Sequence, residues 1–350
     1  MPSKARKAAA QASYQQGERK NFVHNGDMAV AQRGSAQSIS ASGGFAMGQV
    51  DGWKIYMGSA AAVDASQDAE SPDAFNNSLK LDITTADTSV AAGDIAYIEQ
   101  RFEGLNLQSI NKGDAQAKAL TVSFYVRSPV TGVHIVEALD LDNSNRSSSQ
   151  SYTIASADTW EYHSVTFPPD TTGALDDDNE ASFKIQFWLI AGSTYSGGGS
   201  LNTSWGTTTN TRAVGQVNVL GDASDNFYLT GVQMELGNTA TDFQYESHAE
   251  NLARCQRYYR VLSINNAAGN TSNNMYYTTL DISPAMNHTP AIVSNYGFGL
   301  LTGNFETRVT STFGNGVTLI QASPNALVVR GGTSSGYNWI RGDVHVESDL

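Results

Sequence analysis

Short runs in which apolar and polar residues alternate are the clearest pattern in this sequence. In residues 120–127 every second side chain, beginning with Leu120, is apolar, and residues 182–190 repeat the pattern from Phe183 onward. A half-buried antiparallel strand alternates in this way because successive side chains point to opposite faces of the sheet. Further strands are predicted at 53–57, 79–83, 95–103, 133–138, 151–155, 160–167 and 226–235.

No segment of helical period separates these predicted strands. Parallel strands need crossover connections, which are usually helices, so the strands should be antiparallel. The sequence therefore predicts an all-β fold, with a jelly-roll-like antiparallel β-sandwich of two packed sheets over residues 21–246. Residues 193–210 are rich in Gly, Ser, Thr and Asn, and they are predicted to form a long loop at one end of the sandwich.

The period of the pattern changes at Ser247. Ser247 and Glu250 form a capping box, S-x-x-E, which is typical of a helix start. The apolar residues that follow at helical spacing are Leu252, Cys255, Tyr259 and Leu262. They predict a connecting helix of roughly 15 residues within 247–264. Its apolar stripe would pack either on the sandwich or on copies of itself around a symmetry axis.

Alternating runs resume after Asn265 and predict a small C-terminal β domain over residues 265–350. Its strand candidates are 275–282, 291–296, 305–310, 317–322, 326–330 and 339–346.

Composition favours a turn-rich β protein and excludes several classes. Charged residues make up 16% of the chain, and there are 32 glycines. No stretch approaches the roughly 20 apolar residues that a membrane-spanning helix needs. Cys255 is the only cysteine, so an intramolecular disulfide and a Cys-based zinc cluster are excluded. The six histidines occur singly, and neither a Walker loop nor G-x-S-x-G is present, so we expect no enzymatic activity.

Charge is distributed unevenly along the chain. The formal net charge is −13, which disfavours nucleic acid as a partner because phosphate affinity needs a basic surface. The first 20 residues are different, since Glu18 is their only acid and they carry five basic residues: Lys4, Arg6, Lys7, Arg19 and Lys20. This basic arm is either a frayed tail or a peptide that orders on a partner protein, with DNA binding the weaker alternative.

Three motifs carry a resemblance to a known family. The first is N-F-V-H-N-G-D-M-A-V-A-Q-R-G at 21–34, followed by D-G-W at 51–53. The second is G-V-Q-M-E-L-G-N-T-A-T-D-F-Q-Y-E-S at 231–247, which runs into E-N-L-A-R-C-Q-R-Y-Y at 250–259. The third is I-S-P-A-M-N-H-T-P-A-I at 282–292, where Asn287 and His288 replace the family's Met-Arg. Together they resemble bacteriophage tail-fibre and virion structural proteins whose sandwich is similar to CenC-type carbohydrate-binding modules.

The resemblance implies a non-enzymatic virion protein, first of all a tail-fibre or appendage subunit. It implies a homotrimer, with the stripe Leu252, Cys255, Tyr259 and Leu262 facing the three-fold axis, and a basic arm that attaches to other virion proteins. A capsid-surface decoration protein without a host ligand is the runner-up. A polysaccharide-degrading tailspike would need a cleft with opposed carboxylates.

The resemblance also implies a structural calcium ion. Asn25-Gly26-Asp27 predicts a tight turn in which Gly26 tolerates positive φ. In similar sandwiches such a turn lies beside a later acidic residue, and Asp225 stands at the matching position. Oxygen ligands from Asp27 and Asp225 would suit Ca²⁺. The competing interpretation is that both carboxylates make ordinary Asx turns.

A host-surface glycan is the expected ligand of a fibre with this sandwich. Sugar rings stack on aromatic faces, and the aromatic residues with outward phase or in the long loop are Trp188, Tyr195 and Trp205. Alternatively, these side chains pack against a neighbouring subunit, because fibre proteins are usually symmetric oligomers. Trp53, in the D-G-W motif, is expected in the core.

Overall fold

The computed structural model describes residues 21–34, 36–40, 44–47 and 49–268, and beyond these the backbone of strands between residues 275 and 347. For 44–47 and after 261 the description covers the backbone alone. The basic arm, with Lys4, Arg6, Lys7, Arg19 and Lys20, lies outside the described residues. The chain divides into two units, one ending at His248 and the other spanning Ala249–Asp349.

The first unit is a sandwich of two six-stranded sheets in which every pairing is antiparallel. The first sheet has the order β1 (Ala36–Ile39), β4 (Ala62–Asp68), β5 (Ser78–Thr85), β12 (Asn226–Leu236), β7 (Leu120–Arg127) and β10 (Glu161–Phe167). The second has the order β2 (Gly44–Met47), β3 (Lys54–Gly58), β6 (Ile95–Glu103), β11 (Ala181–Ala191), β8 (Gly132–Asp140) and β9 (Arg146–Ile154). This arrangement confirms the all-β antiparallel sandwich.

Helices are few and short in the described part of this unit. There is one turn of α-helix, α1 (Ser193–Ser196), and three 3-10 turns at Gly104–Asn106, Gln108–Ile110 and Thr209–Thr211. No helix among the described residues is both long and apolar enough to span a bilayer.

The inward faces of the two sheets meet in one apolar core. Phe124 of β7 and Phe187 of β11 are both fully buried, and their rings meet edge-on at 5.0 Å across the interface. Trp53 is also fully buried, as its motif predicts, and its indole N–H donates to the Asn25 carbonyl at 3.2 Å. The two-residue alternation in the sequence therefore predicts which side chains of both sheets point into the core.

The Asn25-Gly26-Asp27 turn is held by side-chain bonds and by a close backbone approach. Asn25 has the positive φ, 52°, and its side chain accepts from Val30 N–H at 2.9 Å and donates to the Asp51 carbonyl at 2.8 Å. Gly26 is needed for a different reason from the predicted one. A Cβ at Gly26 would lie 2.0 Å from the Val232 carbonyl oxygen. The turn thus packs directly on β12.

Helix α2 (His248–Cys255) starts at the last residue of the first unit and continues into the second, which then has strands in two antiparallel sheets. One contains β13 (Tyr259–Ala268), β19 (Asn338–Glu347) and β15 (Ala291–Ile292), with β16 (Phe305–Glu306) also paired to β19. The other contains β14 (Met275–Asp281), β18 (Ala326–Gly332) and β17 (Val317–Ser323).

Helix α2 starts where the capping box predicts but is shorter than expected. Its end tightens into 3-10 turns, with Tyr258 N–H bonded to the Cys255 carbonyl at 3.0 Å. Tyr259 and Leu262 lie in β13, which pairs with β19 over ten residues. The predicted stripe is therefore split between a helix and a strand. Leu252 is half-buried and Cys255 and Tyr259 are buried, while the side chain of Leu262 lies outside the described residues.

Candidate functional site

A cleft with a volume of about 380 Å³ lies on the outward face of the second sheet. Residues whose side chains point outward lie side by side on neighbouring strands there. Trp188 is the cross-strand partner of Tyr97, and Lys184 is the cross-strand partner of Arg101. The sheet supplies the floor, and the β8–β9 turn and the long loop after β11 supply the walls. The lining includes Tyr56, Ile95, Tyr97, Leu139, Lys184, Tyr195, Thr209 and Arg212.

Four aromatic rings form a row at the cleft: Tyr56, Tyr97 and Tyr195 line it, and the ring of Trp188 lies beneath the lining. Tyr56 and Tyr97 are cross-strand partners, and their rings stack at 5.2 Å with planes 14° apart. Tyr97 meets Trp188 edge-on at 5.9 Å, and Trp188 meets Tyr195 at 5.6 Å. Tyr97 and Trp188 are buried, whereas Tyr56 and Tyr195, at the two ends of the row, are half-buried. The ends of the row therefore offer ring surface to a ligand.

Lys184 lies beside this row and is held by a buried carboxylate. Its Nζ donates to Glu99 Oε2 at 2.7 Å and lies 4.6 Å from the centre of the Tyr97 ring. The other oxygen of Glu99 accepts from Arg101 Nε at 2.7 Å. Burial lowers the pKa of Lys184, and the attraction of Glu99 offsets only part of that loss. The ammonium group is thus fixed in position at the edge of the cleft.

Arg212 comes from the long loop and is held even more firmly. Its Nε and Nη2 donate to the two oxygens of Glu137 at 2.7 and 2.9 Å, a bidentate geometry. Glu137 also accepts from Trp188 Nε1 at 3.1 Å and from Gln186 Nε2 at 2.6 Å. Burial disfavours the charged guanidinium, but Glu137 outweighs this effect and the pKa of Arg212 is raised.

The long loop after β11 folds over the outward face of the second sheet. It begins with α1, and Ala213 N–H donates to the Tyr195 carbonyl at 3.0 Å, which closes the loop. Gly206 and Ser147 of β9 exchange backbone hydrogen bonds of 2.9 and 2.8 Å. The segment predicted as a loop at the end of the sandwich is therefore bonded to the sheet. This contact completes one wall of the cleft.

The three aromatic candidates from the sequence have different environments. Trp188 points outward, as its phase predicts, but the loop covers it and its exposure is 0%, so its ring is not a platform for a ligand. Trp205 packs on Phe183, with 6.0 Å between the centres of their rings, and its indole N–H donates to the Pro168 carbonyl at 2.6 Å. Of the three, only Tyr195 lines the cleft.

Most residues that form the cleft were not predicted from the sequence. Tyr56 and Tyr97 have outward phase in predicted strands, so the alternation alone could have identified them. Lys184 has the same phase on β11. Arg212 carried no such signal, because it follows an irregular loop whose path over the sheet has no local pattern.

The structure does not bring Asp27 and Asp225 together. Gly26, next to Asp27, accepts from Val232 N–H at 2.9 Å, whereas Asp225 immediately precedes β12. Seven strand residues separate these two points, which corresponds to about 20 Å. Asp27 accepts from Ala29 N–H at 3.4 Å, as in an Asx turn. Among the described residues, no group of three or more His, Cys, Asp or Glu side chains is arranged to hold a metal ion.

Comparisons with known proteins give distant similarities only. No protein-family model matches the chain, and no curated protein matches it. The enzymatically active domain of bacteriophage CBA120 tailspike protein 4 is 13% identical, with a TM-score of 0.31, over 62% of this chain and 21% of the tailspike chain. A CBM4 module is 14% identical, with a TM-score of 0.33, over 61% of this chain and 99% of the module.

A third similar structure is the C-terminal family 22 carbohydrate-binding module of Clostridium thermocellum Xyn10B. It is 7% identical, with a TM-score of 0.33, over 63% of this chain and 98% of the module. The fold assignment rests on the order and antiparallel pairing of the strands in the two sheets of the first unit.

Proposed function

We propose that this chain is a non-enzymatic glycan-binding subunit of a bacteriophage tail fibre or appendage. The observation that carries glycan binding is the cleft on the outward face of the second sheet, where the Tyr56–Tyr97 ring pair lies beside Lys184 and Arg212. A sugar presents an apolar ring face and a rim of hydroxyl groups. Aromatic faces and fixed hydrogen-bond donors match these two features.

The rigidity of the cleft supports recognition. Stacking holds the Tyr56 ring against Tyr97, and ion pairs hold Lys184 and Arg212, so little side-chain freedom remains to be lost on binding. A volume of about 380 Å³ lies within the range of small-molecule sites. We therefore expect one or two sugar units of a longer chain to occupy the cleft.

The carboxylates beneath the lining favour binding over hydrolysis. A glycosidase needs one carboxyl group to protonate the leaving group and a second to act as base or nucleophile. Glu99 holds two cationic side chains, and Glu137 holds Arg212, Gln186 and Trp188. Both side chains have 0% exposure. Their role in this proposal is to position the donors of the cleft.

The motif order of the sequence motivates the virion assignment. The motif at 21–34 is hydrogen-bonded to the motif at 231–247 within the sandwich, since Phe22 N–H donates to the Met234 carbonyl at 2.9 Å. In this proposal the basic arm, residues 1–20, attaches the subunit to other virion proteins, and the subunit is a homotrimer. A structural Ca²⁺ ion is not part of the proposal, because Asp27 and Asp225 lie apart.

The test is binding of the full chain to a panel of bacterial surface polysaccharides and their oligosaccharides, with product release measured in parallel. We expect binding of at least one glycan without any release of reducing ends. Tyr56→Ala should weaken glycan binding roughly tenfold or more. The matched control is Tyr162→Ala, which removes a tyrosine that is 49% exposed on the first sheet and should leave binding unchanged.

Two results would overturn parts of this proposal. Binding that survives Tyr56→Ala but is lost with Tyr162→Ala would move the site to the other sheet. Release of reducing ends would favour a polysaccharide-degrading tailspike.

Labelling of intact particles with an antibody to the chain, together with the mass of the purified chain from light scattering, separates a trimeric fibre from a capsid decoration.

A further inference from the structure

The charged side chains that line the cleft are both cationic. They are Lys184 and Arg212, in a protein whose formal net charge is −13. The acids nearest to them, Glu99 and Glu137, lie beneath the lining and are buried. Each of the two cations is paired from below, Lys184 with Glu99 and Arg212 with Glu137. The surface that faces a ligand is therefore cationic, on a protein that is acidic overall.

Arg212 presents a second, unused edge of its guanidinium group. Glu137 occupies Nε and one N–H of Nη2. Among the described residues, Nη1 makes no hydrogen bond. The plane of the group is fixed by the rings beneath it, because its central carbon lies 5.4 Å from the centre of Trp188 and 5.8 Å from that of Tyr195. Two parallel N–H donors on a fixed plane match the geometry of a carboxylate.

Lys184 adds a second donor in the same cleft. Its Nζ donates to Glu99 Oε2 at 2.7 Å and to the Tyr97 hydroxyl at 3.4 Å, which leaves one N–H of the ammonium group for a ligand. The side chain is only 7% exposed. A partly desolvated ammonium group gains more from a further anion than one in water does, because the local dielectric constant is low.

We propose that the ligand of the cleft is an acidic glycan: the carboxylate of one unit, as in a uronic acid, binds the free edge of Arg212, while the ring of a neighbouring sugar unit packs at the Tyr56 end of the aromatic row. This inference rests on the proposed function and narrows it to one class of sugar. A neutral glycan would place only hydroxyl groups at these donors. A carboxylate accepts from the same donors and adds the attraction between opposite charges.

The experiment compares each acidic oligosaccharide with its own carboxyl-reduced form, which differs only by having a primary alcohol in place of the carboxylate. The probes are oligosaccharides of glucuronate, galacturonate and mannuronate, together with the acidic members of the polysaccharide panel. We expect the full chain to bind at least one acidic form roughly tenfold more tightly than its reduced form. Added salt should weaken binding of the acidic form more than binding of the reduced form.

A double variant separates recognition from folding. Arg212→Gln combined with Glu137→Gln removes both charges of the pair and keeps two side chains able to bond each other. The matched control is Arg127→Gln with Glu70→Gln, which removes an ion pair from the first sheet. We expect Arg212→Gln with Glu137→Gln to bind the carboxylate and the reduced forms equally. The control double variant should keep the preference for the carboxylate form.

The outcomes are distinct. Equal affinity for the acidic and reduced forms, or a preference that survives Arg212→Gln with Glu137→Gln, overturns the acidic-glycan inference but leaves a glycan-binding cleft in place. A folded chain that binds no glycan of either form overturns the proposed function itself.

Discussion

The rings of Tyr56 and Tyr97 stack at 5.2 Å, with planes 14° apart, across the neighbouring strands β3 and β6. Tyr56 is the outer, half-buried member of the pair. Tyr56→Phe should therefore keep glycan affinity within about twofold, because it keeps the ring face, while Tyr56→Ala should cost roughly tenfold or more. Titration calorimetry of the two variants measures this difference. Equal losses in both would assign the effect to the hydroxyl group and not to stacking.

Glu137 is expected to be a stability determinant of the cleft. Glu137→Ala would leave the donors of Arg212, Gln186 and Trp188 without their acceptor in a buried place. Breaking one partner of such a network costs about 3 kcal/mol. Chemical denaturation measures the loss. Glu70→Ala is the control, since Glu70 is 50% exposed beside Arg127 and its loss should cost less than about 1 kcal/mol. A similar small effect for Glu137→Ala would contradict the network.

Acid should destabilise the sandwich through His134. This side chain is fully buried, and burial lowers its pKa from 6.5 to about 4. Between these values the unfolded chain takes up a proton that the folded chain does not, so stability falls as pH decreases from about 6.5 to about 4. The contribution is about 3 kcal/mol. His163 acts in the same direction, because burial lowers its pKa as well.

The measurement is the free energy of unfolding against pH for the wild type and for His134→Leu. The variant should lose part of the slope between pH 6.5 and 4, whatever its stability at neutral pH. Two parallel curves would show that His134 takes up its proton equally in both states, contrary to its burial.

Gly26 is expected to tolerate no side chain. In Gly26→Ala the new Cβ would meet the Val232 carbonyl oxygen at 2.0 Å, and the turn would have to leave β12. We expect a loss of roughly 2 to 4 kcal/mol. Gly93→Ala is the control, because no atom lies within 4 Å of the position that a Cβ would take there. Thermal unfolding should show a large shift for the first variant and almost none for the second. Equal shifts would contradict the close approach.

The alternation of the sequence was sufficient to predict the long strands. Residues 95–103 and 120–127 match β6 and β7 at both ends. The strands β1 and β2 have four residues each, which is too short for a visible period. In β4 the inward positions include Ala65, whose small side chain gives a weak apolar signal.

Long-range contacts decided the features that the sequence did not predict. Tyr259 and Leu262 satisfy a helical period, but pairing with β19, about 80 residues later in the chain, places them in a strand. Trp188 has the outward phase of a ligand platform, and a loop that follows it in sequence covers it. Local patterns specify which face a residue occupies. They do not specify what covers that face.

A crystal structure of the full chain with the tightest-binding oligosaccharide would show whether the cleft on the second sheet binds glycan. We expect a sugar ring against Tyr56, with an acidic group at the free edge of Arg212. Density for the sugar elsewhere, for example over Tyr162 on the first sheet, with an empty cleft, would contradict it.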